Sequence, residues 1–323
     1  MDRLVLRPFT QSDLGAAGRL LAERHRLHRL TQPHLSARYE SPDSAEVDVT
    51  EVWKADHVSG AVAVRNGEVN GFLLGAPKPG EVWGPNVWVE AAGQAVAEAE
   101  VMRDLYALAA TRWVEEGRDA HHVVVPAHDE ALVRSWFRLG FGQQQMHGIR
   151  DVPTGPRHAP PPGMSIRRAR RDDIPVLAEL DRELPLHQGL APTFSAGTVA
   201  TLEEYTEEWE EDWEDEEFAT FVADCDGQVI GSAVGCAIEK SNSHKGLARP
   251  DSAGLLGFAA VLPSARGLGA GRALGEAVLA WAAEQGFDSV VTDWRATNLT
   301  SSRAWPALGF TETFLRLHRL IRY

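Results

Sequence analysis

Three glycines, Gly267, Gly269 and Gly271, alternate along a short stretch bounded by Arg266 and Arg272. A strand-like run, Gly257 to Leu262, ends just before it at Pro263, and an amphipathic helix is expected just after it. Leu274, Ala277, Val278 and Trp281 give that helix one apolar face, and Gly286 stops it. Glycines at a helix start let an anion come close to bare backbone. The unpaired N–H groups of the first turn then point at the anion, and the helix dipole adds a favourable field. Arg266 and Arg272 add charge-assisted bonds. A diphosphate suits such a place. Glycines also serve tight helix–sheet packing, so the loop needs its surroundings to be read. There is no Gly-Lys-Ser/Thr for a P-loop, and no acidic residue at a Rossmann-like distance after an early strand.

The surroundings are informative. Arg266-Gly267-Leu268-Gly269-Ala270-Gly271 follows Val261-Leu262-Pro263 and precedes Arg272-Ala273-Leu274, while Asn298 opens the next helix and Leu308-Gly309-Phe310 closes it. This resembles the Arg/Gln-x-x-Gly-x-Gly/Ala signature and the following motif of the GNAT superfamily of acyl-CoA-dependent N-acyltransferases, over nearly all of residues 164–323. The resemblance implies that main-chain N–H groups of Arg266, Gly267, Leu268, Gly269, Ala270, Gly271 and Arg272 hold the pyrophosphate of acetyl-CoA or another acyl-CoA. It further implies that the pantetheine arm pairs with the strand near Ala259 and Val261, with Asn298 beside it. The acceptor amine would attack the thioester directly, a backbone N–H polarising its oxygen. No metal is implied.

The chain departs from that pattern in two ways. The family's thiolate-protonating tyrosine, seven residues after the Asn, is here Trp305, and indole is no acid. Tyr323 and His318 are acids whose side chains would have to fold back to serve. Nor does the strand Leu255–Val261 carry a carboxylate to act as base. Glu239, His244 and Asp293 fall near where the strands should open, and each also reads as an ordinary polar residue.

The elements that must position these groups occur twice. Val62-Ala63-Val64-Arg65-Asn66-Gly67-Glu68-Val69-Asn70-Gly71 recurs from Val222 to Gly231, a strand, an Asn/Asp-Gly turn and a strand in each copy. Asp129 to Phe141 recurs as Asn298 to Phe310, sharing Arg, Trp, Leu, Gly and Phe. Leu6-Arg7 with Asp13-Leu14 returns as Ile166-Arg167 with Asp173-Ile174. Between the copies Asp151 to Gly163 is proline-rich and reads as a semi-rigid linker. The expected fold is a mixed α/β or α+β sheet flanked by helices, built twice. With the resemblance, this becomes two tandem GNAT-like domains: a degenerate copy at 1–150, the linker at 151–163 and an acetyltransferase domain at 164–323. The first copy is degenerate because Ala97, Glu100 and Met102 stand where the second has Arg266, Gly269 and Gly271, and a glutamate there repels phosphate. Tandem GNATs with one working half have a similar plan.

Glu203 to Glu217 is acidic, with Tyr205, Trp209 and Trp213 on one helical face. The plain reading is a core-facing aromatic stripe with a solvated acidic back. The functional one is an acceptor wall for a cation. His25, His28, His121 and His122 lack metal spacing and read as surface or helix-packing residues. Cys225 and Cys236 flank a hairpin out of register for a disulfide and read as buried thiols.

A net charge of −14 disfavours nucleic acid and suits a small-molecule amine, a cationic one best. No apolar run is long enough to span a bilayer, so no membrane partner is expected. Met1 leads straight into a strand-like segment with no signal peptide, so a cytoplasmic protein is expected, a monomer or homodimer. The expected activity is acetyl transfer from acetyl-CoA to a small-molecule amine. A non-catalytic acyl-CoA-binding scaffold and acetylation of a protein amine are the alternatives.

Overall fold

The computed structural model describes residues 4–80, 83–155, 159–195 and 197–321. The chain runs β1 (Val5–Pro8), α1 (Leu14–Arg29), α2 (Pro42–Trp53), β2 (Ser59–Arg65), β3 (Glu68–Gly75), β4 (Asn86–Val89) and β5 (Gln94–Val96). It continues α3 (Val101–Glu115), β6 (Ala120–Pro126), α4 (Glu130–Arg138), β7 (Gly142–Asp151), β8 (Met164–Arg168), α5 (Ile174–Gly189) and α6 (Leu202–Asp212). Then follow β9 (Ala219–Cys225), β10 (Gln228–Ala237), β11 (Gly254–Val261), α7 (Ala270–Glu284), β12 (Ser289–Arg295), α8 (Ser301–Ala307) and β13 (Thr311–Leu320). These elements pack as two compact units. One holds Met1–Met146, His244–Asp251 and Glu312–Tyr323, the other His147–Ser243 and Ser252–Thr311.

In the first unit β1, β2, β3 and β5 lie side by side, each antiparallel to its neighbour. β6 takes β4 in parallel and β13 antiparallel, with Phe314 opposite Pro126 and Leu320 opposite Ala120. The last strand of the chain thus pairs within this unit, and Phe314 enters the core made by Leu21, Leu35, Val62, Phe72 and Leu74. His25, His28, His121 and His122 are all buried, so they are packing residues and not surface ones. Burial holds His28 neutral, its pKa pushed down to about 2, and it stacks on His128 at 4.4 Å.

In the second unit the order is β8-β9-β10-β11-β12, antiparallel as far as β11 and then parallel between β11 and β12. α7 packs its buried Leu274, Ala277 and Val278 on this sheet. Gln228 lies opposite Cys225, and both cysteines are free. Cys236 is buried, its thiol pushed up to about 11, whereas Cys225 is only half-buried and so departs from the buried-thiol reading.

The repeat is chemical as well as sequential. Arg7 forks onto Asp13 at 2.6 and 2.8 Å, and Arg167 forks onto Asp173 at 2.7 and 3.0 Å. Each carboxylate also accepts a backbone N–H three residues back, from Thr10 and from Arg170. Asn66-Gly67 and Asp226-Gly227 both take positive φ, as a two-residue hairpin turn requires. The arginine hydrogen bonds hold both aspartates below the usual carboxylate range, although burial opposes this. A lowered carboxylate pKa contributes stability above the unfolded value and loses it as pH falls through the folded one. We therefore expect the Asp13→Asn/Asp173→Asn double variant to melt lower at neutral pH, and the gap to close below about pH 4 in melting curves taken across pH. Among the described residues no helix is long and apolar enough to cross a membrane.

Candidate functional site

β11 and β12 pair only at Gly254 with Val290 and Leu255 with Val291. The buried Thr292 hydroxyl then donates to the Leu256 carbonyl at 2.9 Å. Beyond that tie the two strands part, while β10 follows β11 to its end, Gly231 opposite Val261. One edge of β11 is therefore open from Gly257 onwards, and the strand passes there from buried to half-buried or exposed. An extended ligand can add to such an edge as a further strand. The register skips Gly257, with Val234 facing Phe258 and Gly235 facing Leu256, so a bulge re-aims the strand where it opens.

Past Pro263 the chain makes one tight turn and enters the glycine loop. Gly267 and Gly269 sit at φ +82° and +88°, where a side chain would be strained. The N–H groups of Gly267, Leu268, Gly269, Ala270, Gly271 and Arg272 find no acceptor among the described residues. The first that does is Ala273, donating to the Gly269 carbonyl at 3.1 Å. An anion is what such a row of donors, at the positive end of α7, is built to hold. The Arg266 guanidinium lies 4.0 Å from Glu183, and Arg272 lies 3.9 Å from Glu276. The matching turn of the first unit is different. There Val101, Met102 and Arg103 donate to the carbonyls of Glu98, Ala99 and Glu100, Met102 is fully buried, and Glu100 pairs with Arg103 and Arg138.

Two clefts flank the open edge. The first, of about 180 Å³, is lined by Leu256–Val261 of β11, including Ala259 and Val261, by Arg266 and Gly271, and by residues of β12, α8 and α5. Gly267, Leu268, Gly269, Ala270 and Arg272 complete the loop beside it. Asn298 and the buried Trp305 line it too. Asn298 Oδ1 accepts from the N–H groups of Thr300 and Ser301 at 3.1 and 3.3 Å, which leaves its Nδ2 as the donor still to be used. His187 of α5 reaches the same oxygen with Nε2 at 3.3 Å. The oxygen can only accept, so Nε2 carries the hydrogen.

The second cleft is larger, about 810 Å³, and is lined by α5, α6 and the strands β10 and β11 among others. Tyr205, Trp209 and Trp213 are half-buried on its wall, and α6 buries none of its residues. The core-facing reading of that stripe is thus corrected: its rings are only half-buried and line a cavity beside α5. Trp209 Nε1 donates to Asp181 Oδ2 at 2.7 Å. Desolvation raises the Asp181 carboxyl to about 6. Leu184, Gly257, Phe258 and Asp293 line both clefts, so the two meet at the bulge, and Asp293 is the titratable side chain at that junction.

The other sequence candidates lie elsewhere. Glu239 is exposed in the turn after β10, His244 is buried in the first unit, and neither lines a cleft. His318 lies on β13 opposite His122, also in the first unit, and Tyr323 falls outside the described residues. Sequence reasoning missed Asp181 and His187. Their one signal was the spacing of Asp181, Leu184 and His187, which puts them on one helical face. Among the described residues no three His, Cys, Asp or Glu side chains gather as a metal site.

Residues 185–310 match the model of the acetyltransferase (GNAT) family. No curated protein matches the chain. A GCN5-related N-acetyltransferase from Sphaerobacter thermophilus is similar in structure along the whole chain, with 16% identity, TM-score 0.56, and coverage of 100% of this chain and 97% of that one. A GCN5-related glucosamine N-acetyltransferase region of a fungal multi-domain GH3 beta-N-acetylglucosaminidase is similar at 13% identity and TM-score 0.51, covering 99% of this chain and 38% of that one. Likeness at such identity speaks for the fold alone, an α/β fold whose sheets are flanked by helices. The chain thus carries, over residues 185–310, a region that matches the acetyltransferase (GNAT) family.

Proposed function

We propose that the second unit transfers an acetyl group from acetyl-CoA to an amine of a small cationic molecule. The observation that carries this reading is the meeting of the two clefts at Gly257, Phe258 and Asp293. The diphosphate docks on the N–H groups of the 267–272 loop, the pantetheine arm follows the open edge by Ala259 and Val261, and the thioester reaches the junction. The acceptor comes through the second cleft, whose aromatic and acidic wall suits a cation. Its amine nitrogen bonds to the thioester carbon, a strand N–H holds the developing oxyanion, and the carbon–sulfur bond breaks. Asp293 takes the proton the nitrogen loses. The first unit, whose matching turn satisfies its own N–H groups, is a supporting copy.

The leaving thiolate also needs a proton. Trp305 cannot give one, while His187, in the same cleft, holds its N–H towards Asn298. We therefore assign His187 that role, in place of His318 or Tyr323. His187→Gln should lower kcat about tenfold to a hundredfold, with the KM for acetyl-CoA within about threefold of wild type. Adding Trp305→Tyr should recover most of the loss, measured by CoA release under saturating substrates. An unchanged kcat in His187→Gln removes His187 from the mechanism. Tight CoA binding with no CoA release on any amine would instead support the scaffold alternative, which Trp305 favours.

A further inference from the structure

We propose that the acceptor carries two ammonium groups, and that Asp181, seated by Trp209, binds the one that does not react. This deepens the transferase reading and rests on it for which amine reacts. The second cleft far exceeds the volume of the first, about 810 against 180 Å³, more than a lone amine needs. Asp181 has no ion pair among the described residues, and only its Oδ2 is taken, by the Trp209 indole. A desolvated carboxylate without a cationic partner costs free energy that a bound cation recovers. The cations already in the cleft serve other groups: Lys240 pairs with Glu217, and Arg168 stacks over Phe221 at 5.1 Å. Tyr205 and Trp213 add half-exposed ring faces that attract an ammonium group. Along α5, the backbone of Asp181 is three residues, about 4.5 Å of helix axis, from that of Leu184, which lines both clefts. A short aliphatic diamine spans such a gap.

The Asp181 carboxyl, raised to about 6 by desolvation and by Glu208, supports this. The charged groups sharing its cleft are Glu208 and Asp212 on α6, Glu214, Asp215 and Glu216 after it, Arg168 on β8, Lys240 after β10 and Asp293 on β12. Above pH 6 Asp181 is ionised and holds the cation. Below it the charge is lost, and the grip with it.

Calorimetric titration of the CoA-saturated protein with 1,4-diaminobutane and with butylamine tests the proposal. At about pH 7.5 the diamine should bind at least about tenfold tighter, and Asp181→Asn should bring the two within about threefold. At about pH 5.5 the wild-type preference should shrink in the same way. Trp209→Phe, which removes the indole hydrogen bond and trims the ring but keeps an aromatic face, should weaken the preference partially, while the melting temperature and CoA affinity report an intact fold. Equal affinities in the wild type, no measurable binding of either amine, or a preference that survives Asp181→Asn overturns the proposal. Because the readout is binding, absence of turnover sinks the transferase reading and leaves this one to the titration.

Discussion

Gly271→Glu is expected to weaken CoA binding at least about a hundredfold while leaving the melting temperature within about 2 °C of wild type. The residue lines the first cleft, its φ is ordinary, and a Cβ there would meet only Val261 Cγ2, at 3.8 Å. The fold therefore accepts a side chain, while the new carboxylate sits where the diphosphate should lie. Gly269→Glu is a poorer probe. Its φ of +88° strains any side chain, and a Cβ would come within 3.0 Å of Pro161 Cγ, so lost binding there confounds charge with distortion. The matched control is Glu100→Gly at the corresponding turn of the first unit. It removes the pairs with Arg103 and Arg138 and should leave CoA affinity unchanged. Calorimetry with CoA reads both variants, and loss in Glu100→Gly would mean the working half was assigned wrongly.

Asp293→Asn should lower kcat/KM for the acceptor about a hundredfold to ten-thousandfold, with CoA affinity within about twofold of wild type. The amide keeps the size and hydrogen-bonding reach of the carboxylate but cannot take a proton. Asp293 stands immediately after Thr292, whose hydroxyl makes the last tie between β12 and β11, so its position is fixed by the same splay that opens the clefts. Wild-type rates of CoA release in this variant would remove it as the base. Glu239→Gln, on an exposed turn lining neither cleft, should change the rate by less than about twofold.

The glycine loop and the repeat were legible because they are local. A helix start with unpaired donors is written in residues 266–272, and the Arg7–Asp13 and Arg167–Asp173 forks are set by residues close in sequence. What the chain did not disclose depends on distant pairing. Nothing near β13 says that Phe314 will lie opposite Pro126. The aromatic stripe that begins on α6 has the same spacing whether it meets a core or a cavity, and only how deeply the distant elements bury it decides between them. Asp181 and His187 escaped notice for a related reason. Their roles come from Trp209 and Asn298, 28 and 111 residues away along the chain.

Crystals of the protein with bound CoA give the most direct test. The diphosphate oxygens should lie within hydrogen-bonding distance of the N–H groups of residues 267–272, with one CoA per chain and the pantetheine amides paired with β11 beyond Gly257. A diphosphate bound elsewhere, or a loop filled by the chain's own side chains while CoA occupies the first unit, would contradict this placement.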